Sequence, residues 1–180
     1  LLAVGLDWRS RDVRLSGDLG WQDHQLKRTR TNVTLGAGVT SVPTVPDNQS
    51  NHAQPWSYSN ERDTFGTFRG EWDITPDVTA WAAAGARRSE EANSLANITV
   101  NNGSSGAATT YRFDNTRKDS VNTGELGVRG KLQTGSVGHE WVASASLFDF
   151  EKKNAYAMDS RNTLATNLYG PVSTNLPAFS

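Results

Sequence analysis

Side chains able to do chemistry are few in this chain, and they are scattered. Three histidines, His24, His52 and His139, stand far apart with no second ligand at a metal-binding interval, and there is no cysteine. A metal site needs converging ligands, so none is read here, and thiolate and disulfide chemistry are excluded. No serine lies in a nucleophile-elbow pattern. Glu90 and Glu91 sit at the end of an apolar run and read as solvated carboxylates. Nothing in the sequence asks for catalysis, so it reads as a non-enzyme, and no cofactor is implied. Recognition is better provided for. Trp56 and Tyr58 offer aromatic planes, and Arg87 and Arg88 offer guanidinium groups, a combination that suits a flat anionic ligand. The plainer role for each is structural, with Trp56 anchoring its own loop.

These residues have to be positioned by strands. Val13, Leu15, Gly17, Leu19 and Trp21 alternate with Arg14, Ser16, Asp18, Gly20 and Gln22. A helix would scatter the apolar set around its cylinder, whereas a strand gathers it on one face. The same alternation of period two runs through Leu2–Trp8, Phe65–Ile74 and Thr123–Gln133. The run from Val78 to Arg88 is alanine-rich and leaves helix and strand nearly balanced. A sixth run from Trp141 to Phe150 does not separate into faces. Arg14, Asp18, Arg69, Glu71, Glu125, Arg129 and Lys131 all fall on polar faces, where cross-strand pairing is their simplest role.

The formal charge of −1 and the dispersed basic residues give no reason to expect a nucleic-acid partner. Mean hydropathy is −0.59, and no stretch approaches the length of a transmembrane helix. A transmembrane β-barrel is compatible with these values, because its strands average lipid-facing and lumen-facing residues. Connection lengths favour that architecture. Short turns follow the first, third and fifth runs, at Arg9–Asp12, Thr75–Asp77 and Gly135–His139. Long polar loops follow the others, at Arg28–Asn60, Glu91–Asn115 and from Asn154 onward. An up-and-down meander sorts the two kinds of connection to opposite rims, as outer-membrane barrels do. Trp8, Trp72, Trp81 and Trp141 each lie near a short turn and read as one interfacial ring. The fold class is therefore all-β, an antiparallel up-and-down meander forming a fragment of a transmembrane β-barrel.

Several stretches, taken in order, resemble the barrel of TonB-dependent siderophore receptors. They include Val4-Gly-Leu-Asp-Trp8, Leu15-Ser-Gly-Asp-Leu-Gly-Trp-Gln-Asp23, Gln54-Pro-Trp-Ser-Tyr-Ser-Asn-Glu-Arg-Asp63, Tyr111-Arg-Phe-Asp114 and Thr166-Asn-Leu-Tyr-Gly-Pro171. The resemblance runs nearly end to end. It implies a barrel of 22 strands closed by a plug, located in the bacterial outer membrane and importing ferric siderophores with TonB-supplied energy. On that basis residues 1–180 are a barrel segment of about six strands with the plug domain absent. The implied partners are a ferric siderophore, the TonB protein through the absent plug, and outer-membrane lipid. A catecholate, hydroxamate or carboxylate chelate would meet Trp56, Tyr58, Arg87 and Arg88. The competing reading is a soluble secreted or surface all-β binding module, an adhesin or carbohydrate-binding domain, whose apolar faces would be buried against a second sheet.

Overall fold

The computed structural model describes residues 1–180 and contains strands and no helix. The strands are β1 (Leu2–Arg9), β2 (Val13–Lys27), β3 (Val33–Leu35), β4 (Tyr58–Thr75), β5 (Val78–Val100), β6 (Ala107–Thr134), β7 (Val137–Met158) and β8 (Leu164–Asn167). The main order is β1-β2-β4-β5-β6-β7, an up-and-down meander with two open edges. β3 lies parallel to β5, with Val33 opposite Ile98, a local exception to the antiparallel pattern. β5, at 23 residues, outruns the 18 of β4, so β3 takes up the edge that β4 leaves. In the same way β8 pairs with the part of β6 that β7 does not reach. The alanine-rich run is strand, because its backbone lies between two partners in a sheet.

Two compact units divide these strands. Unit 1 comprises Leu1–Asp23, Arg62–Glu90 and Lys118–Lys153. It contains all three short turns, and local chemistry closes each. The Ser10 hydroxyl accepts from the Val13 N–H at 3.2 Å, and the Thr75 hydroxyl accepts from Asp77 at 3.3 Å. Gly135 adopts φ 62°, the left-handed conformation that a two-residue hairpin turn favours.

Register in unit 1 separates two faces. Leu2, Val4, Leu6 and Trp8 oppose Trp21, Leu19, Gly17 and Leu15. The Leu19 side chain reaches over Gly66, and Leu15 reaches over Gly70. Leu126, Val128 and Leu132 share a parity with Gly130, which Trp141 covers. This face is apolar and open: Leu19 is 70% exposed and Leu126 65%. Nine-residue stretches without a charge on this face recur at 13–21, 66–74, 78–86 and 124–132. Each is about 30 Å of strand, or roughly 20 Å of membrane depth at barrel tilt.

The opposite face carries the charges. Glu71 receives Arg14 at 3.3 Å, Arg69 at 2.8 Å and Arg129 at 3.1 Å. Asp73 takes both terminal nitrogens of Arg14, at 2.6 and 2.7 Å, and the Thr79 hydroxyl at 2.7 Å. Trp81 belongs to this face, which corrects the expected ring of four tryptophans. Trp8, Trp72 and Trp141 lie on the apolar face, but Trp81 is 8% exposed beneath Arg69 and Arg129, and its Nε1 donates to Glu125 at 2.5 Å. It lies flat over Gly127, where any added Cβ would come within 2.1 Å of the ring.

Unit 2 comprises His24–Glu61, Glu91–Arg117 and Asn154–Ser180. The three loops expected at Arg28–Asn60, Glu91–Asn115 and beyond Asn154 are corrected: the first contains β3, all of the second but residues 101–106 is hairpin, and the third opens within β7 and contains β8. The hairpin's polar side chains pair across the ladder instead of facing solvent. Ser94 donates to Asp114 at 2.7 Å, Asn97 to the Tyr111 hydroxyl at 3.4 Å, and Asn101 to Thr109 at 3.3 Å. The alternate residues Ile98, Val100 and Ala108 cluster with Leu168 as a small core. Asn102 closes the tip by accepting from the Ser104 and Ser105 N–H groups, and Gly106 adopts φ 71°.

Small-residue positions give a direct test of the register. Gly127→Ala in the full-length protein should destabilise the barrel by about 1–3 kcal/mol, because the Trp81 ring must move. Gly124→Ala has open space around its Cβ and should be neutral. Thermal unfolding followed by heat-modifiable gel mobility compares the two; equal behaviour would refute the assigned register.

Candidate functional site

A polar cavity of about 460 Å³ lies in unit 2. One wall is the limb Thr29–Asn32 with Thr34, and the other is formed by Leu95, Asn97, Ile98 and Thr99 of β5, Ser59 of β4 and Tyr111 of β6. The lining holds hydroxyls, amides, one phenol and one guanidinium, Arg30, and no carboxylate. Such a surface can donate many hydrogen bonds and places its single full charge as a cation, so it is matched to an oxygen-rich neutral or anionic ligand.

The cavity wall is held by a local lattice of side-chain to backbone bonds. Thr31 donates through its hydroxyl to the Ala96 carbonyl at 3.0 Å. Arg30 donates to the Asn48 carbonyl at 3.3 Å, and Asn51 to the Arg28 carbonyl at 3.0 Å. His52 Nε2 lies 3.3 Å from the Thr31 carbonyl. Burial holds the His52 imidazole below its ordinary value, and the Arg30 guanidinium acts in the same direction against the favourable Thr31 carbonyl.

Gln54, 1% exposed, clasps the loop to the C-terminal segment. Its amide donates to the Val172 carbonyl at 2.8 Å, and its oxygen accepts from the Thr174 N–H at 2.8 Å. Farther along, Arg112 donates to the Pro177 carbonyl at 2.7 Å and lies over the Phe179 ring. Asp159 receives the Ser180 N–H and hydroxyl, each at 3.0 Å. The Ser180 N–H, aided by its hydroxyl and by Asn162, holds the Asp159 carboxyl below the usual carboxylate range.

The four residues singled out for recognition fall in different places. Trp56 and Tyr58 belong to unit 2 and Arg87 and Arg88 to unit 1. Trp56 is half-buried, with Nε1 donating to Thr174 at 3.3 Å, while Tyr58 is 37% exposed. Arg87 donates from Nη2 to Asp63 at 2.7 Å, and Ser89 donates to the same carboxylate. Arg88 lies on the other side of β5, bonded to the Val121 carbonyl and Asn122. The cavity residues Arg30, Asn97 and Tyr111 were not singled out from sequence. Asn97 and Tyr111 were concealed by the loop-like composition of their hairpin, and Arg30 lies in the connection between β2 and β3, where no periodicity marks it.

No family model matches the chain. It is 30% identical over 176 residues, 98% of its length, to the ferrichrome receptor FcuA of Yersinia enterocolitica, covering 23% of that protein. It superposes on the crystal structure of BauA, the ferric preacinetobactin receptor of Acinetobacter baumannii, with a TM-score of 0.89 at 24% identity. That match covers 99% of this chain and 27% of BauA, and shows the fold. The chain thus spans about a quarter of the length of these relatives, both of which are receptors. The resemblance to siderophore receptors read from the sequence is borne out, as is the all-β meander.

The His52 contact predicts a pH dependence. An unfolded loop takes up a proton below about 6.5, the ordinary imidazole value, while the buried ring resists it. The folded loop is therefore favoured above that pH and loses stability as pH falls through and below it. With the intrinsic pH dependence of amide exchange divided out, protection at residues 28–32 should fall by up to about tenfold between pH 7.5 and 5.5, as protonation of the open-state ring favours opening. A His52→Gln variant should flatten that dependence, and an unaltered profile would show that another group controls the loop.

Proposed function

We propose that the chain is part of the wall and outer vestibule of a bacterial outer-membrane receptor. That receptor binds ferric siderophores and imports them with energy supplied through TonB. The observation that carries this reading is the similarity to a ferrichrome receptor along 98% of the chain. The two-faced sheet supports it: the apolar face would meet outer-membrane lipid, and the face centred on Glu71 would turn to the lumen. Residues 1–180 would then be one segment of the barrel domain, with the plug that engages TonB lying outside them.

In this reading the chelate enters a vestibule to which the polar cavity contributes one wall. Arg30, Asn97 and Tyr111 would bond its oxygens, while Trp56 and Tyr58 would supply aromatic surface. Iron arrives already wrapped, so the wall supplies donors to the chelator's periphery and no metal ligands.

Binding of radiolabelled ferric siderophore to cells expressing the full-length receptor tests the assignment. Tyr111→Ala and Trp56→Ala should each weaken binding, by about thirtyfold if the ring is a buried contact worth about 2 kcal/mol, with surface expression unchanged. Unaltered binding in Trp56→Ala alone would leave that residue as a loop anchor through Thr174. Unaltered binding in both would remove this wall from the recognition surface.

A further inference from the structure

The C-terminal part of unit 2 supplies no residue to the cavity lining, yet it is bonded to the segment that builds the cavity wall. From β8, paired with β6, the chain runs on past the hairpin tip. There the Leu168 N–H donates to the Gly106 carbonyl at 2.8 Å, and the Asn167 amide to the Ser105 carbonyl at 3.0 Å. The Tyr169 hydroxyl reaches the Thr44 carbonyl at 3.1 Å. Val172 and Thr174 then take the two ends of the Gln54 amide. The Thr174 hydroxyl adds to this clasp, donating to the Gln54 oxygen at 3.2 Å and accepting from the Trp56 ring nitrogen.

From Gln54 the bonding passes on to the cavity wall. The Gln54 carbonyl accepts from the Ser57 N–H at 3.0 Å and the Ser57 hydroxyl at 2.8 Å, and the Ser57 carbonyl accepts from the Arg28 N–H at 2.7 Å. The Arg28 carbonyl accepts from the Asn51 amide, whose oxygen is held by the Ala53 N–H at 2.8 Å. His52 meets the Thr31 carbonyl, and the Asn48 carbonyl meets the Arg30 guanidinium. Residues 47–57 therefore stand between the C-terminal segment and the Thr29–Asn32 limb, bonded to both. Ile98 is a second link, since it belongs both to the core around Leu168 and to the cavity lining. Gln54 is 1% exposed, so a broken clasp would strand a buried amide unless the turn that carries it opened as well.

We infer that residues 168–174 are a strap that governs the cavity from outside its lining. Seated, the strap fixes the turn 47–57 and, through it, the Thr29–Asn32 wall; released, it lets turn and wall leave β5 together. Such a segment, held by hydrogen bonds over little apolar surface, opens as one cooperative unit. A ligand bonded to both Arg30 and Tyr111 needs the wall in place, so it binds the seated state, and by linkage an occupied cavity holds the strap down. That consequence for the ligand rests on the reading of the cavity as a chelate-binding wall; the coupling of strap to wall does not.

Hydrogen exchange on the full-length receptor, without ligand, tests the coupling. Thr174→Pro removes the strap N–H that meets Gln54 and touches nothing in the cavity. Exchange at residues 28–32 should quicken by about fivefold or more, in step with residues 170–173. Ser173→Ala, one position away, should change neither segment. In the opposite direction, Asn51→Ala frees the Arg28 carbonyl and should quicken exchange at 170–173. Unchanged exchange at 28–32 in Thr174→Pro, or at 170–173 in Asn51→Ala, overturns the strap. Binding of a radiolabelled ferric trihydroxamate to cells carrying Thr174→Pro then tests the chelate-binding wall by itself. Weaker binding alongside faster exchange upholds both, whereas unchanged binding alongside faster exchange upholds the strap and removes the cavity from the recognition surface.

Discussion

Alternation of side chains along an unbroken strand is the constraint on which the structure depends. A sheet satisfies its backbone donors and acceptors only through neighbouring strands, and within that ladder every side chain goes to one face or the other. In unit 1 the strands hold one register across β2, β4, β5, β6 and β7, so a single parity choice sends Leu15, Phe68 and Leu126 one way and Arg14, Glu71 and Arg129 the other. A slip of one residue on any strand would place guanidinium groups among leucines. The register is therefore enforced on both faces at once.

The charged face shows how that enforcement works in detail. Glu71 receives three arginines from β2, β4 and β6, and Asp73 ties β2 to β4 and β5. These bonds tie β2, β5 and β6 to β4, the one from Arg129 reaching across β5, and Trp81 fills the space among them because Gly127 leaves room for its ring. A large apolar side chain is accommodated on a polar face when cations cover its π surface and a carboxylate takes its N–H.

Unit 2 achieves order with little apolar material. Its core is Ile98, Val100, Ala108 and Leu168, and most remaining order comes from side chains that satisfy backbone groups of distant segments. Gln54 is the clearest case, since its buried amide is matched to a carbonyl and an N–H of the C-terminal segment. A buried amide left unpartnered would be strongly unfavourable, so the clasp specifies how the loop is seated.

Period-two alternation, tight turns rich in Gly, Pro and Asp, and the order of short and long connections were all legible in the sequence, because each is a local property. So was the resemblance to siderophore receptors. The hairpin at 91–115 was not legible, since its Asn, Ser and Thr residues have a loop's composition and only cross-strand partners such as Asp114 and Tyr111 make them strand. The face of Trp81 was equally hidden, because its neighbours are alanines that mark neither side. Arg87 and Arg88, a single pair in sequence, were divided by parity into one residue bound to Asp63 and one facing outward with neutral partners. The sequence by itself determined the elements and their alternation, which depend on neighbours one and two residues away. Only the tertiary structure decided which polar groups meet, since that depends on register between strands tens of residues apart.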